Sequence, residues 1–96
     1  LIVPPFDAYV PTSFTPNGDG INDFFGMEGV EFINTYSMKV FNRWGQELFS
    51  TSSLKVMWDG RYNNNVLPGD MYTYVIHVTD IDNRPYKLSG TVQLIR

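Results

Sequence analysis

The chain of 96 residues contains no cysteine, which excludes disulfide bonds and metal sites built on thiolates. It also has no cluster of basic residues, and its formal charge is -3, so we predict no binding to nucleic acid. No apolar run approaches the roughly 18 residues that a helix needs to cross a bilayer. We therefore predict no membrane insertion.

Signals for enzyme chemistry are equally sparse. The single histidine, His77, falls within a predicted strand and has no serine nucleophile motif near it. The tripeptide GDG at 18–20 lacks the strand, the lysine and the helix that a phosphate-binding loop requires. The sequence therefore predicts that the domain is not an enzyme.

The chain does contain a series of short strand patterns separated by turn residues, and helical periodicity is nearly absent. Extended segments are predicted at 6–14, 23–27, 34–44, 46–50, 71–79 and 86–96. About six to eight short strands favour an all-β fold, an antiparallel β-sandwich formed by one domain at 6–96. Residues 1–5 have the composition of a linker remnant, and because the chain opens with Leu1 we expect an excerpt of a longer protein.

The segment TPNGDGINDFF, at 15–25, has two interpretations. When Gly20 is aligned with the glycine of a calcium loop, the candidate ligands are Asn17, Asp19, the backbone carbonyl of Ile21, and Asp23. The bidentate acid of such loops is missing, so remote acids such as Asp59, Asp80 or Asp82 would have to complete the shell. The alternative is a glycine turn in which Asn and Asp side chains accept hydrogen bonds from nearby backbone N–H groups.

The two tryptophans, Trp44 and Trp58, also have two interpretations. Exposed indoles are stacking platforms for sugars, whereas buried ones contribute a large apolar area to a core. We predict that both belong to the core of the sandwich.

Five blocks follow one another along the chain: VPTSFTPNGDGINDFF, VFNRWGQELF, WDG, LPGDMYTYVIHVTD and GTVQLIR. In this order and spacing they resemble the gliding-motility-associated C-terminal domain of Bacteroidota surface proteins. This family is the type B C-terminal sorting domain of the type IX secretion system, and the resemblance covers about residues 10–96. The part from WDG to YTYV is also similar to an immunoglobulin-like domain of flagellar hook-cap proteins, which implies an immunoglobulin-like β-sandwich.

The resemblance implies a secretion signal that directs cargo domains, placed N-terminally in the same chain, across the periplasm and the outer membrane. The product would be secreted or held at the cell surface. The implied partners are the type IX translocon and an outer-membrane protein of the PorP/SprF type. No cofactor is required by this interpretation, and calcium stays an open alternative.

Two stretches are candidate recognition elements, and their residues are Arg43, Trp44, Gly45, Leu94, Ile95 and Arg96. Arg43 and Arg96 could pair with acidic groups on a partner, or Arg43 could stack and hydrogen-bond locally. A different class of function also stays open: a stalk or adhesion module of a cell-surface protein that binds calcium or glycan.

Overall fold

A computed structural model describes residues 9–18, 20, 22–28 and 33–96. These residues form seven strands: β1 (Ser13–Phe14), β2 (Ile33–Phe41), β3 (Glu47–Thr51), β4 (Arg61–Tyr62), β5 (Asn65–Val66), β6 (Asp70–Asp80) and β7 (Pro85–Leu94). Within the same part of the chain, no helix is long and apolar enough to cross a membrane. The predicted linker at 1–5 lies outside the described residues.

Five strands form one sheet in the order β1-β7-β6-β2-β3, and β4 pairs with β5 in a separate two-stranded sheet. The predicted all-β sandwich of six to eight strands is confirmed. One strand pair departs from the antiparallel arrangement, since β1 runs parallel to β7 with Ser13 opposite Gln93. Tight hairpins force neighbouring strands to be antiparallel, but β1 reaches β7 from the other end of the chain, so no hairpin sets its direction.

The long strands form because apolar and polar side chains alternate with the period of two that a half-buried strand requires. In β6, Tyr72, Ile76 and Val78 are buried, whereas Thr73 and His77 are exposed on the opposite face. His77 is thus a solvent-facing strand residue. The exposed residues of β6 lie on the solvated face of the sheet, and its buried residues lie on the core face.

Aromatic residues from the connecting segments cover the core face of the sheet. Trp58 is fully buried, with its ring centroid 5.4 Å from that of Phe14 and 5.2 Å from that of Tyr72. Its backbone forms an isolated antiparallel bridge with Phe25, which is also fully buried. The prediction that Trp58 belongs to the core is confirmed.

Two local predictions are wrong. Residues 23–27 form no strand, because Phe25 is the only one of them that pairs, and its partner is the single residue Trp58. Two residues after Trp58, the chain turns at Gly60. Trp44 is 80% exposed and is no part of the core, because it lies in the turn between β2 and β3. Side chains at the tip of a hairpin project past the end of the sheet, where no facing layer covers them.

Strand directions bring distant parts of the chain to one end of the five-stranded sheet. At this end β1, β2 and β7 finish, and β3 and β6 begin. We call it the motif end; the segments that lie there are 15–18, 42–46, 59–60, 67–70 and 95–96. The opposite end carries the β6–β7 hairpin at 81–84. All six candidate recognition residues lie at or beside the motif end.

Candidate functional site

The first loop at the motif end closes around the carboxylate of Asp23. Its Oδ1 accepts hydrogen bonds from the backbone N–H groups of Asn17 at 3.1 Å and Gly18 at 2.9 Å. Its Oδ2 accepts one from the N–H of Gly20 at 2.7 Å. Gly18 and Gly20 have φ angles of 81° and 82°, in the left-handed region that favours glycine. The turn interpretation of this segment is confirmed for Asp23, because backbone N–H groups donate hydrogen bonds to its carboxylate.

The calcium hypothesis stays a prediction. Asp19 and Ile21, two of its four ligands, lie outside the described residues. Within 9–18, 20, 22–28 and 33–96, no three acidic, histidine or cysteine side chains are grouped as a metal site would require. Two of the remote acids are excluded by position, since Asp80 and Asp82 lie at the opposite end of the sheet.

At that opposite end, the carboxylate of Asp80 stabilises the turn between β6 and β7. Its Oδ1 accepts hydrogen bonds from the backbone N–H groups of Asp82 at 2.8 Å and Arg84 at 2.9 Å, which fixes the β6–β7 turn. These hydrogen bonds, the one from Arg84 first, hold the pKa of the Asp80 carboxyl below its usual value. The side chain therefore stays charged although the residue is only 5% exposed.

The second loop at the motif end is the β2–β3 turn, which the side chain of Asn42 organises. The Oδ1 of Asn42 accepts hydrogen bonds from the backbone N–H groups of Trp44 and Gln46, both at 3.0 Å. Its Nδ2 donates to the side chain of Gln46, and the N–H of Gly45 donates to its carbonyl, again at 3.0 Å. Gly45 has a φ of 82°, which a residue with a side chain rarely adopts. The tip of this hairpin is thus a closed network that presents Trp44 to solvent.

Arg43 connects this tip to the start of β6. Its Nη2 lies 2.5 Å and 2.6 Å from the two carboxylate oxygens of Asp70. This contact holds the pKa of the Asp70 carboxyl below its usual value. The guanidinium carbon of Arg43 also lies 5.5 Å from the centroid of the Trp44 ring, within the range of a cation–π contact. Sequence reasoning missed Asp70, because no spacing rule relates residues on different strands.

Arg96 joins three loops of the motif end. Its Nε–H donates to the carbonyl of Leu67 at 2.9 Å, and its two Nη groups donate to those of Pro16 and Gly60, each at 3.2 Å. Three of its five N–H groups are therefore used within the domain. Arg96 was predicted to contact a partner, and the contacts found are structural; contact with a partner through its remaining N–H groups stays a prediction.

The loops pack closely where Arg96 holds them. Gly60 has a φ of 79°, and a Cβ atom there would lie 3.0 Å from Leu94 Cδ1 and 3.1 Å from Pro16 Cγ. Leu94 is buried at 1% exposure, whereas Ile95 is 43% exposed. Of the three candidate residues at the end of β7, Leu94 is thus a core residue and Ile95 presents surface.

A cleft of about 360 Å³ separates the first loop from the β4–β5 hairpin. Its walls include Pro16, Asp23, Phe24, Asp59, Arg61, Val66 and Arg96. Phe24 and Val66 are more than half exposed, so apolar surface borders this cleft between charged groups. The motif end therefore exposes groups that a partner protein can bind: the indole of Trp44, aliphatic side chains such as Ile95, and the guanidinium groups of Arg43 and Arg96, which hydrogen bonds hold in place.

Comparison with known proteins identifies one family. The model of the CHU_C type IX secretion signal domain matches residues 8–94. No curated protein matches the chain significantly. The match covers nearly the whole chain and includes four of the five segments of the motif end, namely 15–18, 42–46, 59–60 and 67–70. The chain therefore belongs to the CHU_C family of type IX secretion signal domains.

Proposed function

We propose that the motif end is the surface that the type IX machinery reads, and that its direct partner is an outer-membrane protein of the PorP/SprF type. Type IX secretion signal domains mark proteins for export across the outer membrane, to the surface or the medium. Export is therefore the function of the domain, and the proposal concerns the surface and the partner.

One observation carries this proposal: loops distant in sequence converge at one end of the sheet, where Arg96 bonds to Pro16, Gly60 and Leu67. A signal of this kind is a folded surface, because its parts are adjacent only after β7 has paired with β1 and β6. The partner then distinguishes a folded domain from an unfolded one without reading a linear peptide.

The proposal includes that the domain catalyses no reaction. Three of its carboxylates serve structure, since Asp23 and Asp80 accept backbone N–H groups and Asp70 pairs with Arg43. A general acid or base needs a titratable group directed at a substrate, and these groups are directed at the protein itself. No observation on the described residues favours a stalk or adhesion module over export.

The test is a fusion of residues 1–96 to a soluble reporter that carries a periplasmic export signal. In cells with a type IX translocon and the cognate PorP/SprF-type protein, we expect the reporter in the medium or at the cell surface. Without that outer-membrane protein, the reporter should stay in the periplasm. The reporter without the domain is the control.

A fusion that stays periplasmic with translocon and outer-membrane protein both present would contradict export by this domain. Export that is unchanged when the outer-membrane protein is deleted would contradict the proposed partner alone.

A further inference from the structure

We propose that Trp44 is the anchor of the export complex, and that its indole enters an apolar pocket with a carboxylate at the rim on the outer-membrane partner protein. The inference rests on the proposed function, because it names one contact within the motif end. Trp44 is 80% exposed, more than any other large hydrophobic residue in the described part of the chain. Tryptophan, like tyrosine and arginine, is enriched among the hot spots of protein interfaces.

The backbone that carries Trp44 is fixed before any partner binds. Its own N–H and that of Gln46 both donate to Asn42 Oδ1, and the N–H of Gly45 donates to the backbone carbonyl of Asn42. The N–H of Asn42 in turn donates to the carbonyl of Gln46 at 3.0 Å. A side chain on such a closed turn loses little backbone entropy on binding, which is the condition for a strong anchor.

Arg43 contacts the ring of Trp44 and supplies the polar part of the proposed contact with the partner. Its Nη2 is held by Asp70, while its Nε–H and Nη1 groups have no acceptor among the described residues. Three N–H donors are therefore left beside the ring that the guanidinium contacts at 5.5 Å. A carboxylate is the acceptor that matches a guanidinium in charge and planar geometry. This places an acidic group at the rim of the partner's pocket.

A protein pocket explains these contacts better than a sugar or a lipid surface. A sugar platform stacks on an open ring face, and the guanidinium of Arg43 lies over one of the two faces of the indole. An interfacial lipid contact needs apolar neighbours, whereas Trp44 stands between Arg43 and the exposed residues Gln46 and Glu47. The formal charge of -3 also disfavours approach to an anionic lipid surface.

The experiment compares the reporter fusion with its Trp44→Ala variant in cells that contain the translocon and the partner. Ile81→Ala is the matched control, since Ile81 is 65% exposed and lies in the hairpin at the opposite end of the sheet. We expect Trp44→Ala to leave the reporter in the periplasm and Ile81→Ala to be exported like the unmodified fusion. Affinity for the detergent-solubilised partner should fall at least about tenfold with Trp44→Ala.

A second measurement follows the indole itself. The fluorescence of Trp44 should be quenched by acrylamide in the free domain and protected once the purified outer-membrane partner is added, while buried Trp58 is protected in both states. Melting temperatures should agree within about 2 °C for all variants, because an exposed side chain contributes little to stability.

The outcomes separate the two proposals. If the unmodified fusion stays in the periplasm, the proposed function fails. If it is exported and Trp44→Ala is exported equally, or if quenching of Trp44 persists in the complex, the anchor is overturned while the export function stands. If Trp44→Ala is not exported because it is unfolded, the anchor is also overturned. The same holds if the substitution weakens binding to phospholipid vesicles but not binding to the partner protein.

Discussion

The guanidinium of Arg96 lies 3.2 Å from the carbonyl oxygen of Gly60, a residue 36 positions earlier in the chain. Gly60 is buried and has a φ of 79°. This single contact joins the end of the last strand to the turn that follows the central tryptophan of the core. The stability of the motif end therefore depends on a cation bonded to carbonyl oxygens, and its loss should be measurable.

Arg96→Ala should lower the free energy of unfolding by about 1–3 kcal/mol, because three hydrogen bonds from a charged donor are lost and the partly buried carbonyl of Gly60 loses this partner. Urea denaturation of the variant and the unmodified domain gives the value. Lys87→Ala is the control, since Lys87 is exposed on β7 and its removal changes the net charge equally. A loss for Arg96→Ala no greater than for Lys87→Ala would show that the contacts with Leu67, Pro16 and Gly60 do not stabilise the fold.

Alanine substitutions at Gly60 and Gly18 should separate backbone strain from crowding. Both glycines have φ near 80°, where an added side chain costs about 1–2 kcal/mol. A Cβ at Gly18 meets nothing within 4 Å, whereas at Gly60 it would lie 3.0 Å from Leu94. Chemical denaturation should therefore show a loss at Gly60 that exceeds the loss at Gly18 by about 1 kcal/mol or more. Equal losses would mean that the loops relax around the added methyl group.

Trp58→Ala should destabilise the domain by about 3–5 kcal/mol, since a fully buried indole is removed from contact with Phe14 and Tyr72. Its Nε1–H also donates to the carbonyl of Arg61 at 3.1 Å, and that acceptor would lose its partner. Trp44→Ala should cost less than about 0.5 kcal/mol. Thermal and urea unfolding of both variants test the contrast. Similar losses in the two would contradict the burial of one tryptophan and the exposure of the other.

Stability should fall in acid partly through Asp80. Its pKa is lowered in the folded state, so its contribution is complete above the unfolded value of about 4 and is lost as the pH falls through the folded pKa. Urea midpoints measured from pH 6 down to pH 2 should decline below about pH 4. The decline should be shallower in Asp80→Asn, which cannot be protonated. An identical pH profile in the variant would show that other carboxyls account for the acid sensitivity.

Calcium should leave the melting temperature unchanged at millimolar concentration, because the Asp23 carboxylate already accepts three backbone N–H groups. Binding to the native state alone would instead add about 2.7 kcal/mol at a hundredfold excess over the dissociation constant. If the melting temperature rises, Asp19→Ala should abolish the increment. Such a calcium-dependent and Asp19-dependent rise would establish the metal site and contradict a purely structural turn.

The strands could be predicted from sequence because side-chain alternation is local. The segment predicted at 71–79 is β6 (Asp70–Asp80), whose buried residues Tyr72, Ile76 and Val78 lie on one face of the strand. The parallel pairing of β1 could not be predicted, since two residues carry no pattern and their partner lies at the far end of the chain. Both tryptophans were predicted to belong to the core, and the position of each relative to the sheet decides that Trp58 is buried and Trp44 is exposed.

The candidate site was predicted in part for the same reason. The turn around Asp23 is formed by residues within six positions, so glycine and acidic residues at short spacing were sufficient evidence. The partners of Arg43 and Arg96 are 27 and up to 80 positions away. A long cationic side chain has many possible acceptors, and sequence alone does not show which of them the fold brings within reach.

The pairing of β1 with β7 has a consequence for the time course of folding. Contacts between residues some 80 positions apart require a large loop to close before they contribute any stability, and folds that depend on such contacts form slowly. The β2–β3 and β6–β7 hairpins can form early, whereas the motif end is complete only when the first and last strands meet. A receptor that binds the motif end thus recruits molecules in which the slow step, the pairing of β1 with β7, is already complete.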